Sequence, residues 1–128
     1  MRLLLDTHIF LWWASESSWL SPRVYALIRD SANTLLLSVA SVWEIQIKLH
    51  LNKLQLDSPL QQFIASQQQT NNITILPIRL THVLALQVLP LFHKDPFDRM
   101  LIAQANSEGA TLITVDRVFA QYPVATLG

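Results

Sequence analysis

Short apolar runs alternate along the chain with stretches of helical periodicity. Residues 2–5, 34–37, 73–76 and 111–115 are apolar without polar alternation, as strands buried on both faces are. A fifth, edge strand is predicted at 124–127, after Pro123. Between them lie helical segments. Residues 7–14 form the first, with Thr7 as its expected cap. Ser21-Pro22 supplies a cap and a proline at the first helical position of a helix ending near Asp30. Residues 39–51 are helical and apolar nearly all round. Pro59 opens a polar-backed helix that ends in Gln67-Gln68-Gln69. Further helices are expected at 81–89 and 96–107, the latter ended by Gly109 as C-cap. Residues 117–121 are expected to make one helical turn. Strands alternating with helices predict an α/β fold whose parallel sheet is covered on both faces. No repeat or linker divides residues 1–128, so a single domain is expected.

In such sheets ligands bind beyond the carboxyl ends of the strands, where the strand order switches. Asp6 follows Leu3-Leu4-Leu5 and Asp116 follows Leu112-Ile113-Thr114-Val115, so both fall at that edge. Glu44 is the only acid in SVASVWEIQIKL. Asp98 precedes Leu101 and Ile102 by three and four residues and shares their helical face. Each acid has a structural explanation taken singly. Asp6 and Asp116 can cap the helical turns after their strands, Glu44 can pair with Lys48, and Asp95 can cap the helix in which Asp98 meets the dipole. Taken together they carry another meaning. Converging carboxylates repel, so the protein must protonate some of them or bring in a cation. An all-oxygen cluster suits Mg²⁺ or Mn²⁺ rather than Zn²⁺.

Composition narrows the choice. Hydrophobic residues make up 51% of the chain and charged ones 14%, which leaves apolar surface for a partner to cover. Nine basic residues balance nine acidic ones, so total charge draws no nucleic acid to the protein. There is no cysteine, hence no disulfide or thiolate metal site, and two glycines exclude a glycine-rich phosphate loop. No signal peptide and no membrane-length apolar run is evident, which fits a cytoplasmic protein.

LLLDTHIFLW, LLLSVASVWEIQIK, HKDPFDRMLIAQA and TLITVDRVF, in this order, resemble the PIN-domain ribonucleases, closest to the VapC-type toxins of bacterial toxin–antitoxin pairs. The resemblance covers essentially the whole chain. It implies a three-layer α/β/α fold with about five parallel strands. It also implies an Mg²⁺- or Mn²⁺-dependent endoribonuclease held in check by an antitoxin protein. By motif, the family's acids fall on Asp6, Glu44, Asp98 and Asp116. Asp6, Asp98 and Asp116 would hold the principal metal, and Glu44 would contact it or orient the attacking water. Thr114 matches a small hydroxyl residue beside that site, and Asp95 is favoured as a helix cap. The implied substrate is RNA, with transfer RNA suggested by family analogy, and the implied assembly is a homodimer or larger.

Lys48, Arg99 and Arg117 neighbour the proposed site residues and are candidates to meet the phosphate backbone, as is His93 in the loop before DPFD. His8, two residues after Asp6, could reach the pocket as a proton carrier, but is expected to be a helix residue packed against the loop. His50 and His82 read as structural or exposed. Trp43 is expected in the core. Trp12, Trp13 and Trp19 cannot all turn inward, so at least one is expected at an interface, with a second copy or an antitoxin helix. Two other readings stay open on the residues alone. One is a phosphatase or phosphotransferase with Asp6 as nucleophile, although His8 stands where such enzymes have a second acid. The other is a non-catalytic protein-interaction module.

Overall fold

The computed structural model describes residues 1–128. Five parallel strands form one sheet in the order β3-β2-β1-β4-β5, with β1 Arg2–Leu5, β2 Thr34–Ser38, β3 Thr74–Leu76, β4 Thr111–Ile113 and β5 Thr126–Leu127. Six α-helices connect them: α1 Thr7–Ser15, α2 Pro22–Arg29, α3 Val39–His50, α4 Leu60–Asn71, α5 Leu80–Ala85 and α6 Pro96–Glu108. The leucine run of β1 is apolar throughout because it divides between two cores. Leu3 and Leu5 join Ile9, Phe10, Val24, Leu35, Leu37 and Ile45 on one face. Leu4 joins Leu36, Leu101, Ile102, Leu112, Phe119 and Tyr122 on the other. All three leucines are fully buried, which accounts for the unbroken apolar pattern.

Local chemistry sets several boundaries. The Ser21 hydroxyl accepts from the Val24 amide and Pro22 stands at the first position of α2. Asp95 accepts from the amides of Phe97 and Asp98, and Gly109 closes α6 with φ 62°. Other expectations fail where tertiary contacts decide. Thr7 does not cap α1. Its hydroxyl donates to Ser41 Oγ at 2.8 Å, because the buried start of α1 lies against α3. The helix expected at 81–89 is α-helical only over Leu80–Ala85 and tightens to a 3₁₀ turn over Leu86–Val88. Strand β4 stops at Ile113, two residues short of expectation, and Val115 turns outward. Strand β5 is confined to Thr126–Leu127, β3 begins one residue after Ile73, and α4 begins after Pro59 and continues to Asn71.

Trp43 lies on the surface, 59% exposed, with its ring edge-on to Phe97 at 5.2 Å. Only Ala40, Ser41 and Ile45 of α3 are buried. Val39, Trp43, Ile47 and Leu51, at steps of four, leave an exposed apolar stripe. The excess of apolar residues therefore appears on the surface of α3 rather than inside. Trp12 and Trp13 pack partly against the first core, and Trp19 is 65% exposed. No helix is long and apolar enough to cross a membrane.

Candidate active site

The connections run from β1 outward to β2 and β3, then return across the sheet to β4 and β5. The strand order therefore switches between β1 and β4, the place where sheets of this kind bind ligands. Asp6 leaves β1 there and Thr114 leaves β4 beside it. The Asp6 amide donates to Ile113 O at 3.0 Å, which locks the two strand ends together. Thr114 Oγ1 then donates to Asp6 Oδ2 at 2.8 Å and accepts from the Asp116 amide at 3.1 Å. Thr114 thus holds the Asp6 carboxylate and the start of the next turn together.

Asp6 is 5% exposed. Burial pushes its carboxyl above the ordinary range, against the opposing pull of the Thr114 hydrogen bond and of His8, and Glu44 adds to the rise. Asp98 stands in the first turn of α6, where the helix dipole favours a negative charge. It is nevertheless raised to about 7, first by burial, then by the charges of Asp95 and Asp6, with Glu44 adding further. His93 opposes this by a hydrogen bond to Asp98. Asp6, Glu44 and Asp98, drawn from α1's start, α3 and α6, therefore feel one another's charge. Glu44 Oε2 also pairs with Lys48 Nζ at 3.5 Å, one helical turn on.

Asp116 sits differently. Its side chain is exposed and accepts from the Val118 amide at 3.0 Å, capping the 3₁₀ turn Arg117–Gln121. Its link to Asp6 runs through its own amide and Thr114. No three His, Asp or Glu side chains stand close enough to make a finished cation cage. The donor chemistry still fits a hard divalent cation: the ligands on offer are carboxylate oxygens, and they crowd one another's charge.

Among the basic and histidine residues, Arg117 is exposed beside Asp116. Arg99 and His93 are turned inward. Arg99 Nη1 donates to Pro90 O at 2.8 Å and to the Tyr122 hydroxyl at 3.3 Å. Both ring nitrogens of His93 are engaged, with Tyr122 at 2.6 Å and Asp98 at 3.3 Å, which leaves neither for a substrate. His8 is exposed on α1, its ring 6.2 Å from that of Trp12. His50 is exposed, whereas His82 is fully buried and bonded to Glu108 at 3.0 Å. The sequence around Tyr122 carries no signal of these contacts. Its place beside Pro123 signals a turn and nothing more.

A family model described as PIN domain matches residues 3–125. The chain belongs to the PIN domain family. This PIN domain is 29% identical to Ribonuclease VapC22 of Mycobacterium tuberculosis over 116 residues, 90% of this chain and 87% of the relative. Among solved structures, VapBC2 from Rickettsia felis bound to a promoter DNA fragment is similar with a TM-score of 0.73 and 18% identity, covering 99% of this PIN domain and 98% of that chain. DNA-bound VapBC from Salmonella typhimurium gives 0.69 and 13%, covering 99% and 97%. At those identities the two structures speak to the fold. They agree with the three-layer arrangement and its five parallel strands.

Proposed function

We propose that this PIN domain is a divalent-metal-dependent endoribonuclease and the toxin of a toxin–antitoxin pair. The observation that carries the reading is the crowding of Asp6, Glu44 and Asp98 at the β1/β4 switch point, where burial first, and then neighbouring negative charge, raises the proton affinity of Asp6 and Asp98. A cation relieves that repulsion, and Mg²⁺ or Mn²⁺ suits all-carboxylate ligands. Asp6, Asp98 and Asp116 would hold it, with Glu44 beside them. When bound, the ion supplies Lewis-acid stabilisation of phosphate charge and a more acidic water. The chain's own contribution is positional. Thr114 fixes the Asp6 carboxylate, Asp95 caps the start of α6 that carries Asp98, and Lys48 pairs with Glu44 one turn along α3. Arg117 is the exposed cation beside the site, placed for a phosphate of the RNA strand. Transfer RNA is the substrate class to try first.

The relative's name, Ribonuclease VapC22, supports the activity, and the VapBC structures support a protein antitoxin as partner. The test is cleavage of total RNA and of transfer RNA by purified protein. Cleavage is expected with Mg²⁺ or Mn²⁺, to vanish in EDTA, and to return on adding back either ion. RNA that stays intact with both metals overturns the proposal.

We also propose that the protein self-associates through the α3 stripe. Trp43 is the expected anchor, since an exposed tryptophan in an apolar patch is a common hot spot. Trp43→Glu is expected to weaken the dimer by at least about 30-fold, the effect of a hot-spot loss near 2 kcal/mol. Sedimentation velocity reads this directly. An unchanged dimer would place the interface elsewhere.

A further inference from the structure

Three separate stretches of chain meet at one buried oxygen, the hydroxyl of Tyr122. The residue is 4% exposed and comes directly after the 3₁₀ turn that leaves β4. Its ring lies edge-on to Phe92 at 5.1 Å and against the His93 imidazole at 5.3 Å. Its oxygen contacts the His93 amide at 3.2 Å, Arg99 Nη1 at 3.3 Å and His93 Nδ1 at 2.6 Å.

The chemistry of these partners orders the protons. A backbone amide and a guanidinium can only donate, so the oxygen accepts from both. Its single proton then goes to the remaining neighbour, His93 Nδ1, which must be bare. In a neutral imidazole the hydrogen then sits on Nε2. That nitrogen is 3.3 Å from Asp98 Oδ2, to which it donates. The network thus runs one way, from Arg99 and the loop amide through Tyr122 and His93 to a carboxylate of the proposed site. Without the hydroxyl, Nδ1 loses its donor and the ring is no longer clamped. Where it swings away from Asp98, either nitrogen can carry the hydrogen and the carboxylate loses its donor.

We propose that Tyr122 is a positioning residue for the nuclease: its hydroxyl sets the tautomer of His93, and His93 holds the Asp98 carboxylate in the orientation a cation needs. This rests on Asp98 being a metal ligand. Outer partners of this kind commonly change metal affinity or activity by 10- to 100-fold. Neither DPFD nor the acids point to Tyr122, because the contact depends on how the chain after β4 packs over α6.

Tyr122→Phe removes one oxygen and keeps the ring. The full-length variant is compared with wild type in three measurements. Long-range ¹H–¹⁵N spectra at alkaline pH are expected to show His93 as a single Nε2–H tautomer in wild type and as a mixture in the variant. Mn²⁺ affinity, read by calorimetry, is expected to fall about tenfold. RNA cleavage is expected to lose about tenfold in kcat with KM within twofold. Tyr25→Phe deletes the chain's other tyrosine hydroxyl, which bonds only surface Arg29, and should change none of these. In a His93→Ala background Tyr122→Phe should add less than twofold, since no imidazole remains to orient. A Tyr122→Phe protein with one His93 tautomer, or with Mn²⁺ affinity within twofold of wild type, overturns the proposal and leaves the nuclease reading standing. A wild-type protein that binds no Mn²⁺ and leaves RNA intact removes that reading as well.

Discussion

Asp98→Asn is expected to abolish RNA cleavage, by at least about 10³-fold, while making the metal-free protein more stable. The loss comes from removing one carboxylate from a proposed ligand set whose purpose is to stabilise charge in the transition state. The gain comes from the same crowding. Burial and the charges of Asp95, Asp6 and Glu44 raise Asp98 from 3.8 to about 7. A carboxyl raised on folding contributes stability fully below its unfolded value and loses it as pH rises through the folded one. Wild type should therefore weaken between about pH 4 and pH 7, and the Asp98→Asn variant, with no charge at that position, should not. A shift of this size corresponds to at most roughly 4 kcal/mol, and solvent screening of this partly exposed carboxyl reduces it to on the order of 2. An asparagine suits the place: its oxygen can accept from His93 and its NH₂ faces the remaining carboxylates. Thermal unfolding in EDTA at pH 8 should give a melting point roughly 5–10 °C higher for the variant, with little difference at pH 4. Adding Mn²⁺ should stabilise wild type and not the variant. A variant that cuts RNA within tenfold of wild type, or that melts lower at pH 8, contradicts this.

Features with a local cause were readable in the chain itself. The bounds of β1, the Ser21-Pro22 start of α2, the Asp95 cap and the Gly109 stop all depend on residues within a few positions of one another. The alternation of apolar runs and helical segments led to the five-stranded parallel sheet for the same reason. Contacts between distant elements were not readable. Thr7 looked like a cap until Ser41 of α3 competed for its hydroxyl. Trp43 looked like core because hydrophobicity alone does not say which face of α3 meets the sheet. His93 looked available to substrate because only Tyr122, 29 positions away, shows that its ring is held inward. Among the acids, Asp6 and Asp98 could be placed from their apolar neighbours. Asp116 shows where that reasoning stops: its carboxylate caps a turn, and position after a strand cannot separate a cap from a ligand.

His82→Ala is expected to cost roughly 2–4 kcal/mol of stability while leaving the proposed ligands untouched. His82 is fully buried at the start of α5 and bonds in three directions. Its Nδ1 accepts from the Arg79 amide at 3.0 Å, so its hydrogen lies on Nε2 and donates to Glu108 Oε2 at 3.0 Å. Gln104 Nε2 approaches Nδ1 at 3.4 Å. Truncation opens a cavity and strips the Arg79 amide and Glu108 of a partner, which together give the stated cost. Glu108 also pairs with Arg2 at 3.2 Å and Arg79 at 3.6 Å, but both arginines are half exposed and add little. The His82 hydrogen bond is the chief reason that Glu108 lies below the ordinary carboxylate range, with Arg79 and Arg2 contributing by charge. A carboxyl lowered on folding contributes stability above its unfolded value of 4.5 and loses it as pH falls through the folded one. Chemical unfolding at pH 7 should therefore show the full cost of His82→Ala, about 10 °C if read as a melting point. Glu108→Gln, which keeps an acceptor for His82 and loses only the charge, should cost roughly a few tenths of a kcal/mol at pH 7, because solvent screens that charge, and nothing in acid below the folded-state value. If Glu108→Gln costs the same at both pH values, the charge on Glu108 is not what holds α5 against α6.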